Sequence, residues 1–352
     1  MKSFEPDFLN RLPATQNVIQ SVRVIGEFKG RQDLYKQQTP QVLETLKQAA
    51  IIQSAESSNR IEGVTAPLKR IQALVAEKTT PRNRSEQEIA GYRDVLNTIH
   101  ANYADIPFTP GVVLQFHRDL YQHAAGEGGR WKMADNEITE ERPGGEVVVR
   151  FKPVPAHTTP DYMEELHRRF RAAWESGRTE RLLLIPAYVL DFLCVHPFRD
   201  GNGRMARLLT LLLLYHAGYE VGRYISLERI VERSKESYYD TLYQSSQSWH
   251  EGRHDLLPWT EYLLGVVIAA YKELEDRAGT LTVARGAKTE MVLATIRAMH
   301  GDFSVKDLRQ RCPHVGIDLL RRILREERKA GRLEGLGRGP DARWRRVGGA
   351  GH

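Results

Sequence analysis

Residues 186–215 read PAYVLDFLCVHPFRDGNGRMARLLTLLLLY. Two apolar runs flank a compact polar turn, a pattern that predicts two buried helices joined by a tight loop. Pro197 cannot continue the first helix in ideal form, and RDGNG supplies the turn-forming residues. The predicted geometry is helix, loop, helix N-terminus. Such an N-terminus presents unpaired backbone N–H groups and positive dipole, a natural cradle for an anion. Gly201 and Gly203 let phosphate oxygens approach the backbone closely. Arg204 and Arg207 stand three apart and so share a helix face toward one ligand, and guanidinium suits phosphate at any working pH. Asp200, among these cations, is the candidate ligand for Mg²⁺ bridging two phosphates. His196 alone has an ordinary pKa near neutrality, which makes it the candidate general base. Phe198, between His196 and Asp200, is expected to turn the opposite way and anchor the loop in the core. No GxxxxGK[ST] run occurs, so a P-loop is not what cradles phosphate here.

The surrounding chain has 352 residues, 41% apolar and 27% charged, a soluble composition with room for two or three domains. LLTLLLLY, residues 208–215, is far short of a bilayer span. MKSFEPDFLNRLP lacks the apolar segment of a secretory signal. The two cysteines, Cys194 and Cys312, sit in unlike contexts and point to a reducing cytoplasm rather than a disulfide framework. Net charge is +6, and residues 304–347 carry 13 Lys/Arg against 6 Asp/Glu, so the remainder sums to −1. The basic character therefore belongs to one module, for which nucleic acid is a candidate partner.

Periodicity is helical almost throughout, and the fold class is mainly α. Residues 1–30 are expected to be loosely structured, with a few anchoring apolar positions. Helices are predicted over about 40–62, 67–77, 84–101, 109–123, 159–176, 180–195, 203–217, 226–233, 235–249 and 256–278. NEITEERPGGEVVVRF, residues 136–151, breaks the rule: two β-favouring arms around Pro-Gly-Gly predict a hairpin. AGTLTVARGAK, near 278–288, interrupts the helical pattern and predicts a boundary. Beyond it, helices near 287–300, 304–311 and 316–330 precede RLEGLGRGPDARWRRV, which suggests two strands with a Gly-rich tip. Three helices and a strand pair at this length predict a winged helix-turn-helix.

HPFRDGNGRMAR, residues 196–207, resembles the signature of the Fic family, HxFx[DE]GN[GK]RxxR, at every fixed position. The resemblance extends over roughly 1–275, including the hairpin and SYYDTLYQ. It implies an all-α core with a β-hairpin flap and, in most members, Mg²⁺-dependent transfer of AMP from ATP to a protein hydroxyl. On this resemblance His196 deprotonates a Ser, Thr or Tyr hydroxyl that attacks the α-phosphate, and Asp200 ligates Mg²⁺. Gly201, Asn202 and Gly203 form the anion hole, while Arg204 and Arg207 hold the β- and γ-phosphates. Tyr239, with Tyr238, sits by the adenosine, and Asn136 and Ile138 of the flap line the nucleotide. A target segment would lie along the hairpin edge as an added strand.

SSNRIEG, residues 57–63, ends the helix predicted for 40–62. Ser58 and Glu62 are four apart on one face, followed by Gly63. A glutamate in the last turn faces the negative end of the dipole, at a cost of about 0.3–1 kcal/mol that an external cation would offset. The stretch resembles the Fic inhibitory motif [ST]xxxE[GN]. That implies Glu62 pairing with Arg207 where the γ-phosphate would lie; the same glutamate could instead position a water for AMP removal.

HEGRH, residues 250–254, satisfies HExxH, but Gly252 and the following HDLLP read as a loop rather than the continuous helix that zinc would need. GIDLLRRILREERKAGRL, residues 316–333, places Leu319, Leu320, Ile323 and Leu324 on one stripe and Arg321, Arg322, Arg325 and Arg328 mostly elsewhere. That is the pattern of a recognition helix, although winged helices also dock proteins. The expected organisation is an N-terminal helical region over 1–100, a catalytic core over 101–278 and a winged helix over 287–347. The expected function is a cytoplasmic, Mg²⁺-dependent protein adenylyltransferase acting on a hydroxyl-bearing protein and on itself, autoinhibited by Glu62, with DNA a further candidate partner of the tail. No membrane association is expected, and the resemblance suggests a homodimer. The alternatives are a DNA-binding regulator with a nucleotide-sensing core, or, within the enzyme class, AMP removal or transfer of UMP or phosphocholine.

Overall fold

The computed structural model describes residues 1–38, 40–124, 128–141, 144–283, 287–299, 301–312, 315–337 and 342–347. Two compact units emerge, Met1–Leu274 and Glu275–His352. Among the described residues no helix is long and apolar enough to cross a membrane.

The first unit is built around two helices, α7 (Arg181–Val195) and α8 (Asn202–His216), buried on nearly every face. A helix apolar all round belongs at the centre of a helical bundle, and the others wrap this pair. They are α1 (Gln16–Gln38), α2 (Pro40–Ile61), α3 (Leu68–Val75), α4 (Arg84–Asn102), α5 (Pro110–Leu120) and α6 (Thr159–Ser176). After the central pair come α9 (Leu227–Arg233), α10 (Lys235–Ser246) and α11 (Leu257–Val283). Strands β1 (Ile138–Glu141) and β2 (Val147–Phe151) pair antiparallel, with Thr139 opposite Val149 and a register irregularity beside Ile138. Gly144 and Gly145 of the predicted turn have φ of 111° and 83°, and Pro143 lies outside the described residues.

Residues 1–30 are not loose. Val18, Ile25 and Phe28 are buried along one face of α1, with Val22 packed beside them, and Phe28 stacks on Tyr271 at 5.2 Å. The spacing of four, three and three is helical, and polar neighbours obscure it. The helix predicted to end near 278 runs on, as α11 reaches Val283; residues 284–286 lie outside the described residues.

HEGRH forms the turn between α10 and α11. His250 Nε2 bonds the Lys152 carbonyl at 2.8 Å, while His254 bonds Ser3 Oγ at 2.9 Å and stacks on Phe8. The two imidazoles serve separate packing contacts, as the loop reading predicts.

The second unit holds α12 (Ala287–Ala298), β3 (Phe303–Ser304), α13 (Val305–Arg311), α14 (Ile317–Lys329), β4 (Leu333–Leu336) and β5 (Arg343–Arg346). The strand order is β3-β5-β4, all antiparallel. This element order fits a winged helix-turn-helix, with a third strand, β3, that the sequence pattern did not reveal. The tip residues 338–341 lie outside the described residues. Its own core gathers Val292, Ile296, Leu308, Leu320, Ile323 and Leu324.

The loop between α7 and α8 depends on Phe198, which is fully buried and stacks on His117 with ring centroids 3.6 Å apart. Phe198→Ala is expected to lower the stability of the first unit by about 3–5 kcal/mol, measured by urea unfolding. A change within experimental error would show that Phe198 does not anchor the loop.

Candidate active site

His196 is the C-cap of α7, at φ 49°, with its amide bonded to the Phe192 carbonyl. Its Nδ1 lies 3.3 Å from the Leu193 carbonyl, which can only accept, so Nδ1 donates and Nε2 keeps its lone pair. Burial lowers the imidazole pKa to about 4, outweighing the opposing pull of nearby Glu62 and Asp200. At neutral pH this ring is therefore an unprotonated base.

The loop after His196 is held from several sides. The Asn202 side chain accepts from the Phe198 N–H at 2.9 Å and donates to the Phe198 carbonyl at 2.8 Å. Lys132 donates its backbone N–H to the Pro197 carbonyl and its ammonium to the Val195 carbonyl. His117 accepts the Gly129 N–H through Nδ1 and so donates from Nε2 to the Asp200 carbonyl at 3.1 Å. Asn202, expected in the anion hole, stands first in α8, and its side chain ties the loop. Asn136, expected beside the nucleotide, instead accepts from Lys132 Nζ and donates to the Phe198 carbonyl, outside the cavity wall. Ile138 does line the cavity.

Helix α8 starts at Asn202 behind Gly201, whose φ of 84° suits glycine. The first amides of this helix have no intrahelical acceptor. Directly over them lies the Glu62 carboxylate: a Cβ built on Gly203 would collide with Glu62 Oε1. Glu62 follows α2, whose end is closed by a Schellman pair. Val64 N–H reaches the Asn59 carbonyl, Gly63 N–H reaches the Arg60 carbonyl, and Gly63 takes φ 81°. Glu62 accepts from Arg207 Nη2 at 2.8 Å, and Arg207 also donates to Ser58 Oγ and to the Ser58 carbonyl. Burial alone would lower the Arg207 pKa, but Glu62 and neighbouring tyrosines raise it overall. Its Nη1 is buried without a hydrogen-bond partner.

Arg204 and Arg207 do not converge on one ligand here. Arg204 turns toward α4 and α5, pairing with Glu88 at 2.6 Å and with the Tyr121 hydroxyl at 2.8 Å, and is 1% exposed. Glu88 and Tyr121 carry no local motif, which is why sequence reasoning missed them.

Asp200 is 58% exposed. One oxygen accepts the Gly201 N–H at 2.6 Å, and the other lies 3.5 Å from Arg204 and 3.8 Å from Arg84. Among the described residues no group of three His, Cys, Asp or Glu side chains could hold a metal. One accessible carboxylate fits Mg²⁺, which keeps water and substrate oxygens as its remaining ligands.

His196, Gly203 and Glu62 open on one cavity of about 460 Å³. The flap residues Ile138 and Phe151 and the α10 residues Tyr239, Leu242 and Tyr243 form its wall. Arg150 of β2 lies 4.0 Å above the Tyr243 ring, fastening flap to helix. Tyr239 is 41% exposed, whereas Tyr238, which also lines the cavity, is buried in a T-shaped contact with Trp259.

A family model described as the Fic/DOC family matches residues 107–214. Residues 107–214 of this chain are therefore Fic-like. It is similar to a protein adenylyltransferase Fic of Nematostella vectensis, 27% identical over 184 residues, covering 48% of this chain and 39% of that protein. A protein of the same name from Culex quinquefasciatus is 27% identical over 232 residues, covering 63% and 41%. The chain thus spans about two fifths of the length of these relatives. In fold it is similar to a Fic family protein from Desulfovibrio desulfuricans G20, with TM-score 0.63, 24% identity and coverage of 97% and 98%. A Fic domain containing signaling protein from Bacteroides thetaiotaomicron matches with TM-score 0.60, 20% identity and coverage of 73% and 98%.

The His196 ring is expected to titrate near pH 4 in NMR of isotope-labelled histidines, its signal assigned by His196→Gln. A midpoint at or above the ordinary 6.5 would contradict the partly desolvated, neutral base.

Proposed function

We propose that the protein is a protein adenylyltransferase that moves AMP from ATP to a Ser, Thr or Tyr hydroxyl of a protein, itself included, and that Glu62 restrains it. One observation carries this reading. A neutral imidazole and a helix N-terminus face the same cavity, and the chain's own carboxylate lies in the anion position.

In the proposed reaction the acceptor hydroxyl oxygen bonds to the α-phosphorus of ATP. The bond from that phosphorus to the oxygen bridging the β-phosphate breaks, and pyrophosphate leaves. The hydroxyl proton passes to Nε2 of His196, free because Nδ1 is committed to Leu193. The opening amides of α8 and the unpartnered Nη1 of Arg207 are the donors available to phosphate oxygens. Asp200 would hold Mg²⁺, which supplies charge neutralisation between phosphates. The apolar wall of Phe151, Leu242 and Tyr243, with exposed Tyr239, suits a purine ring. The free edge of the flap suits a target segment bound as an added strand. Transfer of AMP, rather than of another phosphate-linked group, is favoured by the relatives named protein adenylyltransferase. The two cysteines, both buried and unpaired, fit a reducing cytoplasm.

Restraint follows from charge and space. While Glu62 accepts from Arg207 and covers Gly203, a phosphate oxygen meets a carboxylate instead of a cradle. The end of α2 is held there by further contacts. Lys235 donates to the Ile61 carbonyl at 2.9 Å, Arg60 pairs with Glu232 at 3.0 Å, and Ser54 donates to Glu228 at 2.7 Å.

Glu62→Gly is expected to raise incorporation of label from α-labelled ATP into the protein and into lysate acceptors by roughly tenfold or more. That factor corresponds to about 1.4 kcal/mol of competing contact. Adding His196→Ala is expected to abolish it. Equal labelling of Glu62→Gly and wild type would contradict the restraint, and labelling that survives His196→Ala would contradict the base.

A further inference from the structure

The second unit has a chemistry that the transfer reaction leaves unused. Helix α14 buries Leu320, Ile323, Leu324 and Glu327 against its core and exposes Arg321, Arg322, Arg325, Arg328 and Lys329 against two acids, Asp318 and Glu326, the latter 3.9 Å from Arg322. Between α14 and α13 runs a groove of about 640 Å³. Lys306, Arg309, Arg321 and Arg325 line it with a single carboxylate, Asp318, and Trp344 contributes to its wall. Among the described residues none of these four cations is in an ion pair.

The strand arginines are engaged differently. Arg345 pairs with Asp302 at 2.6 Å, Arg343 donates to the Asp302 carbonyl, and Arg346 donates to the Arg297 carbonyl. These contacts brace β5 within its own unit. Of the groove cations only Arg325 has such a contact, from Nε to the Arg321 carbonyl one turn back at 3.2 Å, and the charge of all four is unmatched by any carboxylate among the described residues.

We propose that this unit binds double-stranded DNA, with α14 entering the major groove and Lys306 and Arg309 meeting the flanking phosphates. Three observations favour a duplex over a protein partner. The exposed face of α14 carries net positive charge with little apolar area, its long cations project from a single helix, and the adjacent helix adds two more. A B-form major groove admits an α-helix, whereas the deep, narrow major groove of A-form RNA does not. Repeated phosphates supply a row of negative charge matching the groove. The residues concerned are separate from those of the transferase reading, so the two stand or fall independently.

The test is fluorescence anisotropy of the full-length protein with a labelled mixed-sequence DNA duplex of about 30 base pairs. With about four phosphates neutralised, affinity is expected to fall about a hundredfold between about 50 and about 200 mM salt. Arg321→Ala with Arg325→Ala is expected to weaken binding at least tenfold at the lower salt, while the corresponding Lys pair retains most of it. Both positions are exposed, so circular dichroism should be unchanged. Removing equal charge from the first unit, by Arg168→Ala with Arg178→Ala, is expected to leave affinity within about twofold. His196→Ala protein is expected to bind as wild type does. No binding at the lower salt would overturn the proposal. So would an equal loss in the Arg168/Arg178 control, or tighter binding of an RNA duplex than of DNA.

Discussion

A guanidinium taken out of water needs a counter-charge, because its desolvation costs several kcal/mol when it is left unpaired. Arg207 is 6% exposed and meets this constraint through the end of α2, using Ser58 twice and Glu62 once. The consequence reaches beyond one ion pair. To supply that carboxylate, α2 must dock along α4 and α9, and its last turn must stop where Glu62 covers the start of α8. The Schellman turn at Gly63 sets that stop. The fold of the N-terminal helices and the state of the site are therefore one problem. On the proposed reading, substrate phosphate is the alternative counter-charge for Arg207.

The loop between α7 and α8 is braced from several sides. This loop of six residues carries His196, Asp200 and the approach to α8, and most of its polar backbone groups have partners. Asn202 closes it from within, Phe198 anchors it on His117, and Lys132 ties it to the segment leading into the flap. None of these groups needs to touch substrate. On the proposed reading, their role is to hold the imidazole and the helix amides where charge would develop, so that little reorganisation is left for the reaction itself. The neutral state of His196 belongs to the same design, since burial removes the proton that a solvent-exposed ring would partly carry.

Much of this was legible in the residues 196–207, because local chemistry there is dense and its spacing is dictated by one turn and one helix. Glu62 was legible for a similar reason, since Ser58, Glu62 and Gly63 form a short pattern whose partner lies in the signature. The hairpin was visible through its β-branched arm and glycine turn. What escaped was set by contacts distant in sequence. The direction of Arg204 depends on Glu88 and Tyr121, which lie 116 and 83 positions away. Asn136 was expected at the nucleotide because it opens the flap, but Lys132 and the Phe198 carbonyl capture its amide. Helix α1 was hidden by polar residues between its buried positions, and β3 by being two residues long.

The central physical claim is that Glu62 and substrate phosphate compete for the same cation and the same helix end. Calorimetric binding of a non-hydrolysable ATP analogue tests it without any catalytic step. Replacing Glu62 by Gln should tighten binding by roughly tenfold, about 1.4 kcal/mol, and a further Arg207→Ala should remove that gain. Equal affinity for wild type and Glu62→Gln, or a gain that persists without Arg207, would contradict it.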